Sequence, residues 1–415
     1  MKNHDTIKSI WIMLGAAMLC VAEEPAKQID LEQESKAGID QGQPGKFFDK
    51  HNIMIGEKSE TAFLNKNGVS PDGTVPMYRD TSRKLWAMCG HSHVGHIAMF
   101  SGTCLDDMKK TYPISTNFRV GSADHAFSGV RYPEGVKARG SIWPFGLYIC
   151  PNTRRFFCFF HNETGWNGQG TGYTVTGKGK GEPDFRHIGL MHSDDEGRNW
   201  TFDRWVITSE EVCFSELYNP DGINVLGQKE GLTCLGAGDF SLFVEPDGEY
   251  MYLFYNLARV DSKSGVWRNL DVYVARTRKR TDGVMGDFVK YYNGEFREAG
   301  NLGKETPIVS GGWHPRVVYS QKYGLYVMSY TGVTPGLGRY GINKKMEVRT
   351  SKNILHWSDP VNVMQNGKVF GNHYVAIYPN DAINQPNVLN GDEFSILTNH
   401  NGTDVIRYTA KIVSE

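Results

Sequence analysis

From about residue 75 to its end the chain is a succession of short apolar or alternating runs. Each is cut off within a few residues by Gly, Pro, Asn or Asp, and no long amphipathic period interrupts them. The runs fall into groups built in one order: an apolar strand, a tight turn, an aromatic strand, then a strand that ends in a turn before tryptophan. KLWAMCGHSHVGHIAMFSG belongs to the first group, and WPFGLYICPN, RRFFCFFHNE and RHIGLMHSDDEGRNWTF form the second. The third is GDFSLFVEPDGEYMYLFYNL with LDVYVARTRK, and the fourth is WHPRVVYSQKYGLYVMSYTG with MEVRTSKNILHWSDP. The fifth is YVAIYPNDAINQ, DEFSILTNHNG and VIRYTAKIV. Sheet-sized groups repeated in this way must cover one another's faces. Five groups of about four strands predict an all-β fold, a five-bladed β-propeller; a six- or seven-bladed ring and a two-sheet sandwich are the competing arrangements. The 47 glycines and 12% aromatic residues suit short strands and tight turns in the same way.

Ahead of the repeats, residues 1–22 read as a signal peptide: polar MKNHDTIK, apolar SIWIMLGAAMLCVA, and small Cys20 and Ala22 placed for cleavage before Glu23. The expectation is an exported protein, periplasmic or secreted, with no stable membrane insertion after the signal is removed. Residues 23–74 read as a polar N-terminal arm and 75–415 as the propeller. With 45 basic and 46 acidic residues there is no long-range field to gather nucleic acid, which is excluded as a partner. Six cysteines follow Cys20, a number that permits disulfides but equally fits buried thiols. No CxxC or HExxH run appears, so no metal ligands are assigned and no cofactor is expected, although a structural or catalytic divalent cation stays open. Oligomeric state is left open.

Two stretches carry a family resemblance. Ser193, Asp195, Gly197 and Trp200 fit S-x-D-x-G-x-x-W and resemble the Asp-box of sialidases and other propeller glycosidases, with Ser351, Asn353 and Trp357 as a degenerate copy. There the acids serve the turn and not the reaction: Asp and Ser oxygens take backbone N–H groups, and Trp packs beneath. GDFSLFVEPDGEYMYLFY is similar to the inner-strand pattern of five-bladed arabinan- and xylan-degrading hydrolases. The resemblance places Asp239 on the acidic residue that orients the acid in that family. It aligns the family's acid Glu with Trp313-His314-Pro315, and its first Asp, the base, with Trp143-Pro144 or the preceding blade, where Asp124 is available. A histidine has the proton chemistry to replace a carboxylic acid, and the similar agar-degrading anhydrogalactosidases are thought to use one.

Glu163, in FFHNETGW, is the first choice for a missing carboxylate; His161 and Trp166 beside it suit the hydroxyls and the apolar face of a sugar. Trp143, His93 and His373 join them as candidate substrate-binding residues. On a strand His91 and His93 share one face while His96 points to the other, which argues against a three-histidine metal site. Arg139, Arg186 and Arg316 are candidates to clamp a substrate carboxylate, Arg139 and Arg316 entering the substrate-binding set. The function expected is exported glycoside hydrolysis of a poly- or oligosaccharide by general acid and base in the propeller funnel. Asp239 would orient, His314 or Glu163 would be the acid, and Asp124 the base. The alternatives are a polysaccharide lyase using His and Tyr on a uronate, a sialidase, and a non-catalytic glycan-binding propeller.

Overall fold

Sheet pairing in the computed structural model divides the chain into five four-stranded antiparallel blades that follow one another in sequence. The structure describes residues 47–60, 72–92, 96–114, 130–131, 140–164, 185–209, 232–261, 267–268, 271–333, 342–400 and 404–414, within one unit, Gln43–Glu415. Blade 1 runs outward from Met77–Arg79 through Leu85–His91 and His96–Gly102 to Lys109–Ile114. Blade 2 is Ser141–Ile149, Phe156–Glu163, Arg186–Ser193 and Thr201–Ile207. Blade 3 is Leu232–Val244, Tyr250–Asp261, Val272–Arg278 and Val289–Tyr292, with Glu295–Ala299 added at its edge. Blade 4 is Gly312–Ser320, Leu325–Val333, Ile342–Ser351 and Val361–Asn362.

Blade 5 takes three strands from the end of the chain, His373–Pro379, Glu393–His400 and Asp404–Ser414, and its fourth from the beginning, His51–Glu60. That first strand lies in the segment 23–74 that reads as an arm. The correction has a plain physical reason: burial alternates along HNIMIG, with Asn52, Met54 and Gly56 exposed and Ile53 and Ile55 buried in the core between blades 4 and 5.

Five hydrophobic cores fill the five gaps of the ring. Blades 1 and 2 share Trp86, Met99, Leu147 and Phe160; blades 2 and 3 share Phe145, Phe159, Phe240 and Leu253. Blades 3 and 4 meet through Phe243, Phe254 and Val317, and blades 4 and 5 through Val318 and Ile377. The last gap closes as Met77, Ala87 and Phe100 pack on Tyr378 and Leu397, with the Tyr378 hydroxyl donating to the Val75 carbonyl at 2.9 Å. The central strands are therefore buried on both faces, as in Phe156–Glu163, where all eight residues are buried, whereas outermost strands such as Lys109–Ile114 are largely exposed. Among the described residues no helix is long and apolar enough to cross a membrane. Cys89, Cys104, Cys150, Cys158 and Cys234 are free thiols, and Cys213 lies outside the described residues.

HSDDEGRNWTF forms the turn between the third and outermost strands of blade 2. The Ser193 hydroxyl accepts the Gly197 N–H at 2.8 Å, and Asp195 Oδ1 accepts the N–H groups of Arg198 and Asn199. Trp200 donates its indole N–H to the Gly197 carbonyl and seals the gap toward blade 1. The equivalent turn of blade 4 repeats the pattern, with Asn353 Oδ1 accepting the Leu355 and His356 N–H groups. Trp200→Ala is expected to cost about 3–5 kcal/mol, the penalty for emptying a large aromatic site, read as a lower urea midpoint. A loss under about 1 kcal/mol would show that the turn does not brace the blade.

Candidate functional site

The inner strands of blades 3, 4 and 5 share one local distortion. In each, the pairing with the second strand is interrupted by a bulge, between Gly238 and Ser241, between Trp313 and Arg316, and between His373 and Ala376, and blade 3 has a second irregularity between Cys234 and Gly236. At each bulge the residue after the last paired one is left-handed: Asp239 (φ 48°), His314 (φ 53°) and Tyr374 (φ 53°). Such a backbone costs a non-glycine residue about 1–2 kcal/mol. In all three the freed N–H is taken by a side chain of the preceding blade. Asp239 donates to His161 Nδ1 at 2.9 Å, His314 to Asn256 Oδ1 at 3.1 Å, and Tyr374 to Thr331 Oγ1 at 3.1 Å. Blade 2 has its own bulge one residue further along, between Pro144 and Gly146, with Phe145 as the unpaired residue.

The bulges aim their side chains at one another. Asp239 Oδ2 accepts from Arg186 Nη1 at 3.0 Å and from the Trp313 indole at 2.8 Å, while its Oδ1 lies 3.6 Å from His314 Nε2. The Tyr374 ring meets His314 edge-on at 4.5 Å and stacks on His373 at 3.7 Å. The Tyr374 hydroxyl donates to Asp72 Oδ1 at 2.6 Å, and the Trp143 indole N–H lies 3.2 Å from Asp72 Oδ2. Glu163 enters from the second strand of blade 2, with Oε1 2.9 Å from Arg186 Nη2 and 3.0 Å from His161 Nε2. Phe145 packs its ring against both His161 and His314. Four blades and the segment leading into blade 1 thus contribute to one cluster.

Two glycines allow this approach. A Cβ on Gly238 would sit 2.2 Å from the His161 ring, and one on Gly236, at φ 105°, would sit 2.3 Å from the Arg186 carbonyl.

The charges are uneven. Burial by itself would raise the Asp239 carboxyl, but the His314, Arg186 and His161 side chains facing it and the Trp313 hydrogen bond hold it well below the usual range. Burial lowers His314 although Asp239 and Asp72 pull the other way, so at neutral pH the ring is neutral. Arg186 and Trp313 are then what keeps Asp239 ionised. Burial, and next the Asp72 side chain it faces, push the Tyr374 hydroxyl well up, so it stays protonated and donates to Asp72. Among the described residues Asp72 is paired with no cation, in contrast to Asp239 and Glu163.

Of the residues singled out in the sequence, Asp239, His314, Glu163, His161, Trp143 and His373 come together here. Asp124, Arg139, His93 and Trp166 lie outside the described residues. Arg316 does not join the cluster: its guanidinium donates to the Pro386 carbonyl at 2.7 Å and lies over the Tyr378 ring. Pleating explains this, since the bulge between Trp313 and Arg316 sends the two side chains different ways. Asp72 and Tyr374 were missed. The signal for Asp72 was the Pro-Asp-Gly turn just ahead of Met77–Arg79, hidden by starting the domain at residue 75.

No protein-family model matches the chain, and no curated protein sequence does. Solved structures match over most of its length. A family 117 glycoside hydrolase of the marine bacterium Zobellia galactanivorans is 9% identical, covering 88% of this chain and 90% of its own, at a TM-score of 0.46. An α-L-arabinofuranosidase from Lactobacillus brevis is 13% identical over 85% of this chain and 94% of its own, at 0.44. An endo-1,5-α-L-arabinanase from Thermotoga petrophila is 15% identical over 84% and 71%, at 0.43. The five-bladed fold stands on the chain's own strand pairing and interblade cores.

Two measurements test the site's construction. Asn256→Ala strips the His314 N–H of its acceptor and two backbone carbonyls, of Asp271 and Gly312, of their donor, and should cost about 1–3 kcal/mol in urea unfolding. An unchanged midpoint would mean the bulge needs no cap. The second concerns pH. Burial, and next His161, lower His187 to about 3, and burial lowers His314, whereas the unfolded chain protonates both near 6.5. Unfolding therefore takes up protons, and stability should fall as pH drops below about 6.5, by about 1.4 kcal/mol per unit for each histidine still neutral in the fold. His187→Gln should flatten the dependence of the urea midpoint between pH 6.5 and 5 by one proton's worth. An identical slope in wild type and variant would contradict this.

Proposed function

We propose that this chain is a glycoside hydrolase acting on a neutral sugar at the cluster of Asp72, Asp239 and His314. The observation that carries the reading is the difference between the carboxylates that meet there. Asp239 is buried against Arg186, while Asp72 is partly exposed, held by two neutral donors and free of any described cation. Groups of one kind placed in opposed environments are how a site divides acid from base work. Asp72 is the base, oriented by Tyr374 and Trp143, and draws the proton from an attacking water. His314 is the acid. Its Nε2 faces Asp239, which stabilises the imidazolium, and its Nδ1, buried and without a described partner, lies on the side of Gly73, next to Asp72. Asp239 orients that ring. Glu163, pinned through Oε1, keeps its second oxygen for a sugar hydroxyl.

A uronate or sialic acid needs a cation for its carboxylate. Among the described residues the cluster's guanidinium, Arg186, is spent on Glu163 and Asp239, which argues against the lyase and sialidase readings. Export, read from residues 1–22, belongs to the same proposal.

The test is release of reducing ends from a panel of neutral plant and algal oligosaccharides. Asp72→Asn and His314→Gln should each lower kcat by about 10²–10⁴-fold with a folded protein. Full activity in Asp72→Asn, or an unsaturated product absorbing in the ultraviolet, would sink the reading.

A further inference from the structure

Arg186 opens the third strand of blade 2 and is fully buried. Its two terminal nitrogens reach carboxylates of different blades, Nη2 at 2.9 Å from Glu163 Oε1 and Nη1 at 3.0 Å from Asp239 Oδ2. At the same point His161, Glu163 and Asp239 bring one ring nitrogen and two carboxylate oxygens within 4.8 Å of one another, a donor set that suits a divalent cation. The surroundings do not suit one. A metal ion would need the carboxylates that the guanidinium already bridges, and would stand beside a cation that cannot release its proton. His161 is poorly placed as a ligand as well. Its Nδ1 accepts the Asp239 N–H, so the neutral ring carries its proton on Nε2, toward Glu163.

We propose that Arg186 is the resident cation of this site, built in where a divalent metal ion would otherwise sit, and that it is a positioning residue for the reaction. It ties Asp239 of blade 3 to Glu163 of blade 2, so the carboxylate that faces His314 keeps its orientation without any exchangeable ion. A planar fork suits this task, because two parallel N–H groups bridge two carboxylates that a lysine would meet as a point charge. Gly236 admits the arginine's backbone to within reach of the inner strand of blade 3, where the two strands pair in parallel.

Only the kinetic arm of the test rests on the hydrolase reading. The wild-type thermal midpoint and activity should be indifferent to EDTA and to millimolar manganese(II), with no bound manganese in electron paramagnetic resonance. Arg186→Ala should lower kcat roughly 10- to 100-fold with little change in KM. It should also unfold at a lower temperature and recover part of both losses with guanidinium ion at concentrations far below denaturing. It should bind one manganese(II), and the double variant Arg186→Ala, Glu163→Gln should not. Arg186→Lys guards against misfolding: it should fold, with an intermediate kcat and a displaced acid limb of the pH profile. The proposal is overturned if wild type binds manganese(II) in a way that Glu163→Gln abolishes, if Arg186→Ala matches wild type in midpoint and pH profile, or if neither cation restores it. Should wild type cleave no glycan, the hydrolase reading fails while the thermal and resonance arms still decide this inference.

Discussion

The structure depends on how the inner strands of blades 3, 4 and 5 are interrupted where they approach one another. From blade 3 to blade 5 a left-handed residue interrupts the regular pairing, and its backbone N–H is received by a side chain on the second strand of the blade before it, His161, Asn256 or Thr331. These receivers occupy equivalent places, opposite Trp143, Gly238 and Trp313 in their own sheets. A hydrogen bond of this kind does two jobs. It removes the cost of a buried unpaired donor, and it fixes the rotation of one blade against the next. Asp239, His314 and Tyr374 point to a common centre because the same joint is made three times.

Ring closure sets the remaining side of the site. Pairing of His51–Glu60 with Asp404–Ser414 brings the first blade against the last, so that Asp72 meets Tyr374 across 302 residues of sequence. A contact so distant carries a large loop-closure cost if made alone, and becomes favourable only once the intervening blades are in place. The position of the proposed base thus depends on contact between the two ends of the chain. The same geometry concentrates opposite environments in a small volume. Arg186 and Trp313 keep Asp239 ionised in a dry place, and two neutral donors hold Asp72 at a wetter one.

Much of this was legible in the chain, and the limits are instructive. Repeated strand groups gave the blade number, and the turn chemistry of Ser193 to Trp200 identified a structural brace, because both are local. Asp239 and His314 were picked out through the resemblance of their strands to the inner-strand pattern of the arabinan- and xylan-degrading hydrolases. Arg316 follows the same inner strand and was misjudged, because a bulge changes which way a side chain faces and leaves no mark in the residue order. Arg186 was read as a clamp for substrate; its partners prove to be protein carboxylates on two blades.

By itself, then, the sequence determined the all-β class, the five repeats, the bracing turns and a short set of polar residues at strand ends, since period, turn and propensity act over a few residues. Only the tertiary structure decided that the strand His51–Glu60 closes the ring, that Asp72 belongs to the site, and that Arg186 neutralises Glu163 and Asp239. Those facts depend on distances between blades, and such distances are set by packed side chains from remote parts of the chain.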